Sequence, residues 1–180
     1  YDESEEDDVS AVSRDYSLDL DDREPPLLSV FGGKITTYRT LARQAVDQLA
    51  PALNAKITDW TGSETLPGGD IPDGNFEAYL AGVHRDYPWL PDDMVWRLVR
   101  NYGTETRRLL GSAKSLNDLG EHFGADLYEA ELQYLADYEW AMSGEDAIWR
   151  RTRIGLALDL AQQDRVSGWF GGQHKKRATA

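Results

Sequence analysis

The spacing of apolar residues changes once along this chain, near residue 37, and the change separates two kinds of structure. Before it, Leu18 and Leu20 alternate with Ser17 and Asp19, as in a half-buried strand. Asp21–Pro26 is turn-forming, and Leu27-Leu28-Ser29-Val30-Phe31 predicts a second strand buried on both faces. Two strands alone are marginal, so they are expected to belong to a larger sheet whose other strands are absent here. After it, Tyr38, Leu41, Ala42, Ala45, Val46 and Leu49 fall at i, i+3, i+4, i+7, i+8 and i+11, a helical stripe ended near Pro51.

A connector punctuated by Gly62, Pro67, Gly68, Gly69, Pro72 and Gly74 follows as loop. Phe76, Tyr79, Leu80, Val83 and Tyr87 predict a helix stopped by Pro88 and Pro91. Val95, Leu98, Val99 and Tyr102 predict another, closed by Gly103, and a short helix over 104–110 ends at Gly111. Leu127, Glu131, Leu132, Leu135 and Tyr138 predict a helix ending near Met142. Ser143 and Asp146 form a capping box ahead of a helix bearing Ala147, Ile148, Thr152 and Leu156. A last helix, capped by Asp159, carries Ala161, Val166, Trp169 and Phe170, and 171–180 reads as a tail. The expected fold is mainly α: a bundle of six or seven helices preceded by two strands.

Composition narrows the function. The chain of 180 residues has a formal charge of −13, but residues 1–24 hold eleven acids against Arg14 and Arg23, leaving only −4 for the rest. That block reads as a solvated loop, and the overall sign disfavours nucleic acid, whose phosphates need a basic field. No cysteine is present, which excludes disulfides, a thiolate nucleophile and Cys-ligated metal. His84, His122 and His174 lack metal-site spacing and read as surface or capping residues, so no metal is expected. No apolar run approaches the length of a membrane span. The chain opens on Tyr1-Asp2-Glu3 without a basic n-region, so no signal peptide is read and a longer parent is expected.

Candidate chemistry concentrates at Gly32-Gly33-Lys34-Ile35-Thr36-Thr37. A strand, two glycines, a cation and two cap-competent threonines before a helix make a place for something anionic, because helix N-termini present unpaired N–H groups and a positive dipole end. The run is neither a G-x-G-x-x-G fingerprint nor a Walker A loop. The alternative is a plain strand end with an exposed lysine. Arg97, Arg100, Arg107 and Arg108 lie near Trp96 and Tyr102, an arrangement able to stack bases but better explained by core packing. The acids from Glu121 to Asp146 read as surface helix charges.

Leu28–Arg39 closely resembles the segment that ends the flavin domain of FAD-dependent glycerol-3-phosphate dehydrogenases. The resemblance continues, in order, through Leu66-Pro67-Gly68-Gly69, Asp118-Leu119-Gly120-Glu121, Leu127–Leu132, Glu145–Leu156 and the Val166–Phe170 helix. Glycerol-3-phosphate oxidases share parts of the pattern. The resemblance implies the C-terminal part of an enzyme oxidising sn-glycerol 3-phosphate to dihydroxyacetone phosphate. FAD takes the hydride; quinone takes the electrons in the dehydrogenases and oxygen in the oxidases. The implied architecture is a C-terminal helical bundle preceded by two strands left from an FAD- and substrate-binding α/β domain. Residues 1–35 would be remnant strands and acidic loop, 36–58 a helix leading from the flavin site, 59–172 the helical domain and 173–180 a tail.

By the same resemblance, Gly32, Gly33, Lys34, Ile35 and Thr36 hold the flavin edge, and Lys34, close to substrate as well, is the candidate catalytic residue. The family's nucleotide-binding glycines and its Arg-Pro-Leu substrate segment do not occur in this chain, so alone it is expected to be inactive and to bind no FAD. Expected partners are the N-terminal FAD-binding domain of the same protein, membrane quinone and a second copy in a homodimer. The expected location is cytoplasmic, with the full-length enzyme peripheral at the cytoplasmic membrane. The Trp149-Arg150-Arg151-Thr152 block is expected to lock helices through buried charge-assisted hydrogen bonds. The contrasting reading is a stand-alone helical interaction domain that carries its Gly-Gly-Lys turn by coincidence.

Overall fold

The computed structural model describes residues 15–178, with side chains to residue 172. The chain divides into two compact units, Tyr1–Glu64 and Thr65–Ala180. The acidic block lies mostly at residues 1–14, outside the described residues.

In the first unit, β1 (Tyr16–Asp21) and β2 (Leu27–Gly32) pair antiparallel, Tyr16 opposite Gly32 and Asp21 opposite Leu27. A 3₁₀ turn (Ile35–Thr37) leads into α1 (Tyr38–Leu49). Leu41, Ala45 and Leu49 are half-buried, one residue per turn, so the predicted stripe is present but shallow. The expectation that β2 is buried on both faces is not met: Leu27, Val30 and Phe31 stay 62%, 46% and 41% exposed. Among the described residues β2 pairs with β1 alone, and two strands have no second layer to bury an apolar face against.

The second unit holds the core. Asn75 accepts a hydrogen bond from the Ala78 amide (3.0 Å) and so starts α2 (Phe76–Asp86). Asp92 and Asp93 open α3 (Asp92–Tyr102), where acids complement the helix dipole. Gly103, at φ +53°, ends it before α4 (Thr106–Leu110). Gly68 and Gly103 meet backbone to backbone, and a Cβ on either would overlap the other segment. The Thr104 amide donates to the Gly68 carbonyl (3.1 Å), pinning the Leu66–Gly69 turn to this junction.

β3 (His122–Gly124) and β4 (Leu127–Tyr128) form a second hairpin, followed by α5 (Glu129–Tyr138). The sequence pattern ran this helix from Leu127 to near Met142. Leu127 is instead a fully buried strand residue, whose place four positions before Glu131 imitates a helical stripe. Gly124 at φ +126° and Ala125 at φ +46° supply the tight turn. At the other end Trp140, at φ +54°, takes the left-handed position usually given to glycine and breaks the helix early.

Ser143 and Asp146 exchange the expected capping bonds, Asp146 N to Ser143 Oγ and Ser143 N to Asp146 Oδ2 (both 3.1 Å). What they start is a π-helical turn (Asp146–Arg151), ended by left-handed Arg153 and a 3₁₀ turn (Ile154–Ala157), not an α-helix. Asp159 and Gln162 cap α6 (Leu160–Ala178) reciprocally. Its backbone stays helical through Gly171 and Gly172, where a tail was expected.

Val83, Leu98, Phe123, Leu132 and Leu135 are fully buried, and among them lies Glu131 at 1% exposure. Its carboxylate, expected at the surface, accepts from Arg97 Nη1 (2.7 Å), Arg97 Nη2 (2.8 Å) and the Tyr102 hydroxyl (2.6 Å). Removing one member strands a buried charge, which costs about 3–5 kcal/mol. Glu131→Gln should therefore lower the urea midpoint strongly. Arg97→Met combined with Glu131→Leu should recover a large part of the loss.

Candidate functional site

The five residues singled out by the sequence form one continuous, solvent-facing turn at the end of β2. Gly32 and Gly33 adopt φ +72° and +107°, conformations that side-chain-bearing residues avoid. A Cβ on Gly32 would stand 2.9 Å from the Asp15 carbonyl oxygen across the hairpin, so glycine is required there twice over. Lys34 is extended (φ −100°, ψ 149°) and exposed, and Ile35 is 87% exposed.

The threonines do not cap. Thr37 directs both its amide (3.0 Å) and its hydroxyl (2.9 Å) back to the Lys34 carbonyl oxygen. No side chain caps either the 3₁₀ turn or α1. The first amides of such a turn have no intrahelical acceptor, so they are left to solvent or to a ligand. Between Glu24 and Asp47 there is no acid, while Lys34, Arg39 and Arg43 are cations. Within a chain of formal charge −13 this is a basic stretch of sequence, although Asp15 adjoins Gly32 across the hairpin. Arg43 is engaged with Asp59 (2.8 Å).

The other candidates prove structural. Arg97 belongs to the buried network, and Arg100 lies over the Trp96 ring at 5.0 Å. Arg107 pairs with Asp86 (2.6 Å) and Arg108 with Glu105. With these guanidiniums so engaged, the cluster offers no stripe for a nucleic acid. In the Trp149–Arg153 block, Arg150 binds Glu145 and Asp146, and Arg151 Nε donates to the Glu139 carbonyl (2.7 Å). These bonds lock the turn as expected, but Arg150 and Arg151 are exposed, not buried. Trp149 packs on Gly155, where a Cβ would come within 2.8 Å of the indole.

Among the described residues no group of three or more His, Asp or Glu is disposed to hold a metal. His84 Nδ1 lies 3.4 Å from Asp92, and His122 Nε2 lies 2.7 Å from the Ala125 carbonyl. The His174 side chain lies outside the described residues.

A cleft of about 320 Å³ is lined by Tyr102, Glu105, Arg108, Tyr134, Tyr138 and Glu139. Burial, reinforced by Glu139 and Glu105, pushes the Tyr134 phenol up to about 12. Burial also holds the Glu139 carboxyl above its ordinary range, with Arg151 opposing. These shifts come from packing, and the cleft's own cation, Arg108, is already paired.

An exposed Gly-Gly-Lys turn follows the hairpin and is joined in sequence to the helical unit. Residues 60–166 match the family model of the C-terminal domain of alpha-glycerophosphate oxidase. The chain is 46% identical over 170 residues to the aerobic glycerol-3-phosphate dehydrogenase of Escherichia coli, covering 93% of this chain and 34% of that protein. It is 43% identical to the glycerol-3-phosphate dehydrogenase of Pseudomonas aeruginosa, over 97% of this chain and 34% of the relative. It is 42% identical to the D-erythritol 1-phosphate dehydrogenase of Brucella abortus, over 89% of this chain and 32% of the relative. The chain belongs to the glycerol-3-phosphate dehydrogenase and alpha-glycerophosphate oxidase family, and it spans about a third of the length of these relatives.

Two measurements check the local physics. Gly32→Ala should cost the hairpin about 1–2 kcal/mol, seen as faster hydrogen exchange over residues 16–32. For Glu139 the folded chain binds more protons than the unfolded one between the ordinary and the raised value, so its charge costs stability as pH rises through that window. Glu139→Gln should stabilise slightly at neutral pH, and the gain should disappear as the pH falls to the ordinary carboxylate range, as read from melting temperature against pH.

Proposed function

We propose that this chain is the C-terminal part of an FAD-dependent enzyme that oxidises sn-glycerol 3-phosphate to dihydroxyacetone phosphate and passes the electrons to quinone. Family membership supports it: the family model covers residues 60–166, the helical domain, and the similarity to the Escherichia coli relative runs over 93% of the chain and so takes in the Gly-Gly-Lys turn as well. The observation that carries the site is the uncapped, acid-free turn Gly32–Thr36 with its exposed lysine. Its chemistry fits the electron-rich edge of a flavin: amides with no intrahelical acceptor, two glycines that allow close backbone approach, and an exposed cation. FAD, when bound, supplies the two-electron acceptor.

The chain's own residues have a static task. Gly32 and Gly33 would admit the flavin edge, the Ile35 and Thr36 amides would donate to it, and Lys34 would supply positive charge near flavin and substrate. Such fixed dipoles favour negative charge without reorganising. The chain contains no G-x-G-x-x-G unit. Nucleotide binding therefore falls to the N-terminal domain of the same protein, and the isolated chain is expected to be inactive. No helix among the described residues is long and apolar enough to cross a membrane. Under this proposal quinone reduction belongs to the full-length enzyme, peripheral at the cytoplasmic membrane and homodimeric.

Lys34→Ala in the full-length enzyme is the test. Loss of one partly solvated charge should make the flavin potential more negative by on the order of 20 mV and lower kcat. An unchanged potential and kcat would remove Lys34 from the site. The Brucella abortus relative gives a specific reason to assay D-erythritol 1-phosphate as a second substrate. Faster oxidation of that compound would move the proposed specificity to four-carbon polyol phosphates. Hydrogen peroxide release in place of quinone reduction would replace the proposed acceptor with oxygen.

A further inference from the structure

The turn is exposed, and only a few contacts hold its shape. Tyr16 lies directly across β1–β2 from Gly32, in register with it. Its hydroxyl donates to Gln44 Oε1 (2.8 Å), two turns into α1. This bond runs behind Gly33: a Cβ there would meet Leu41 Cδ1 at 3.4 Å and Tyr16 Cβ at 3.6 Å. Tyr16 and Leu41 thus close the inner side of the turn, and the hydrogen bond joins strand to helix across it. On the other side Thr37 ties the Lys34 carbonyl inward. The amides of Ile35 and Thr36 come before the first acceptor of the 3₁₀ turn and so have no partner within it.

We propose that the Tyr16–Gln44 hydrogen bond is a positioning contact for the Gly32–Thr36 turn, fixing the angle at which α1 leaves β2 and hence the aim of its first amides. The proposal rests on the flavin reading given above. It assigns Tyr16 and Gln44 no contact with cofactor or substrate. Their effect passes through the backbone they brace, and an amide a fraction of an ångström out of place donates a weaker bond.

The test uses the full-length holoenzyme and three variants. Tyr16→Phe keeps the ring packed against the turn and removes only the hydroxyl; Gln44→Met removes the acceptor at similar volume. Each should weaken FAD binding by about 3- to 10-fold, the factor set by one ordinary hydrogen bond. Each should also shift the flavin potential in the same direction as Lys34→Ala. The double variant should match either single one, because both remove the same bond. If Lys34→Ala moves the potential while Tyr16→Phe moves neither potential nor affinity, the positioning role is overturned and the flavin reading stands. A lower melting temperature for Tyr16→Phe with unchanged flavin properties also overturns it, leaving a mere strap. If FAD leaves exchange at the Ile35 and Thr36 amides unchanged, the flavin reading itself fails, and this inference with it.

Discussion

The buried Arg97–Glu131 pair is the constraint around which the helical unit is arranged. An ion pair at this depth is tolerable only if its lone pairs and protons are met, because desolvation costs more than simple attraction returns. Glu131 meets the demand with the two Arg97 Nη atoms and the Tyr102 hydroxyl. Arg97 also donates to the Asp126 carbonyl (2.8 Å), which brings the β3–β4 turn into the same network. One contact set therefore fixes α3, α5 and the hairpin before it. Tyr102 and Tyr134 extend it as an edge-to-face pair with centroids 5.2 Å apart. Arg97 Nε is buried without a protein partner, so even this network is not completely satisfied.

The first unit is built on the opposite plan. It buries little, leaves Val30, Ile35, Tyr38 and Val46 exposed, and holds its turn through backbone conformation at two glycines, the Tyr16–Gln44 bond and the Thr37 bonds to the Lys34 carbonyl. A rigid, well-packed domain can be read as scaffold; an open turn with uncapped amides and a cation is suited to meeting another group. The division fits a protein in which the helical unit supplies stability and the short hairpin supplies part of a site.

Local features were legible in the sequence. The change from period two to period 3.6 at Thr37, the paired glycines, the Ser143–Asp146 and Asp159 caps, and the Gly103 and Gly111 stops all act within a few residues, so spacing reveals them. Features that depend on distant partners were not. Leu127 imitates a helical position, and only its pairing with His122–Gly124 shows it to be a strand. Glu131 reads as one more surface acid until Arg97, 34 residues earlier, is found beside it. The π-helical turn depends on Arg153 adopting φ +58°, which nothing in its composition announces. Within the site, the residues of the turn were visible, but Tyr16 and Gln44 were not, because strand register and helix placement decide their meeting. The two threonines were assigned caps that their geometry does not make.

The central claim is that the amides after Gly33 meet the flavin. Hydrogen exchange over residues 31–38 of the full-length enzyme, with and without FAD, tests it most directly. The account predicts that FAD slows exchange at the Ile35 and Thr36 amides, while Thr37, already bonded to the Lys34 carbonyl, changes little. Equal exchange at Ile35 and Thr36 in the two states would contradict it.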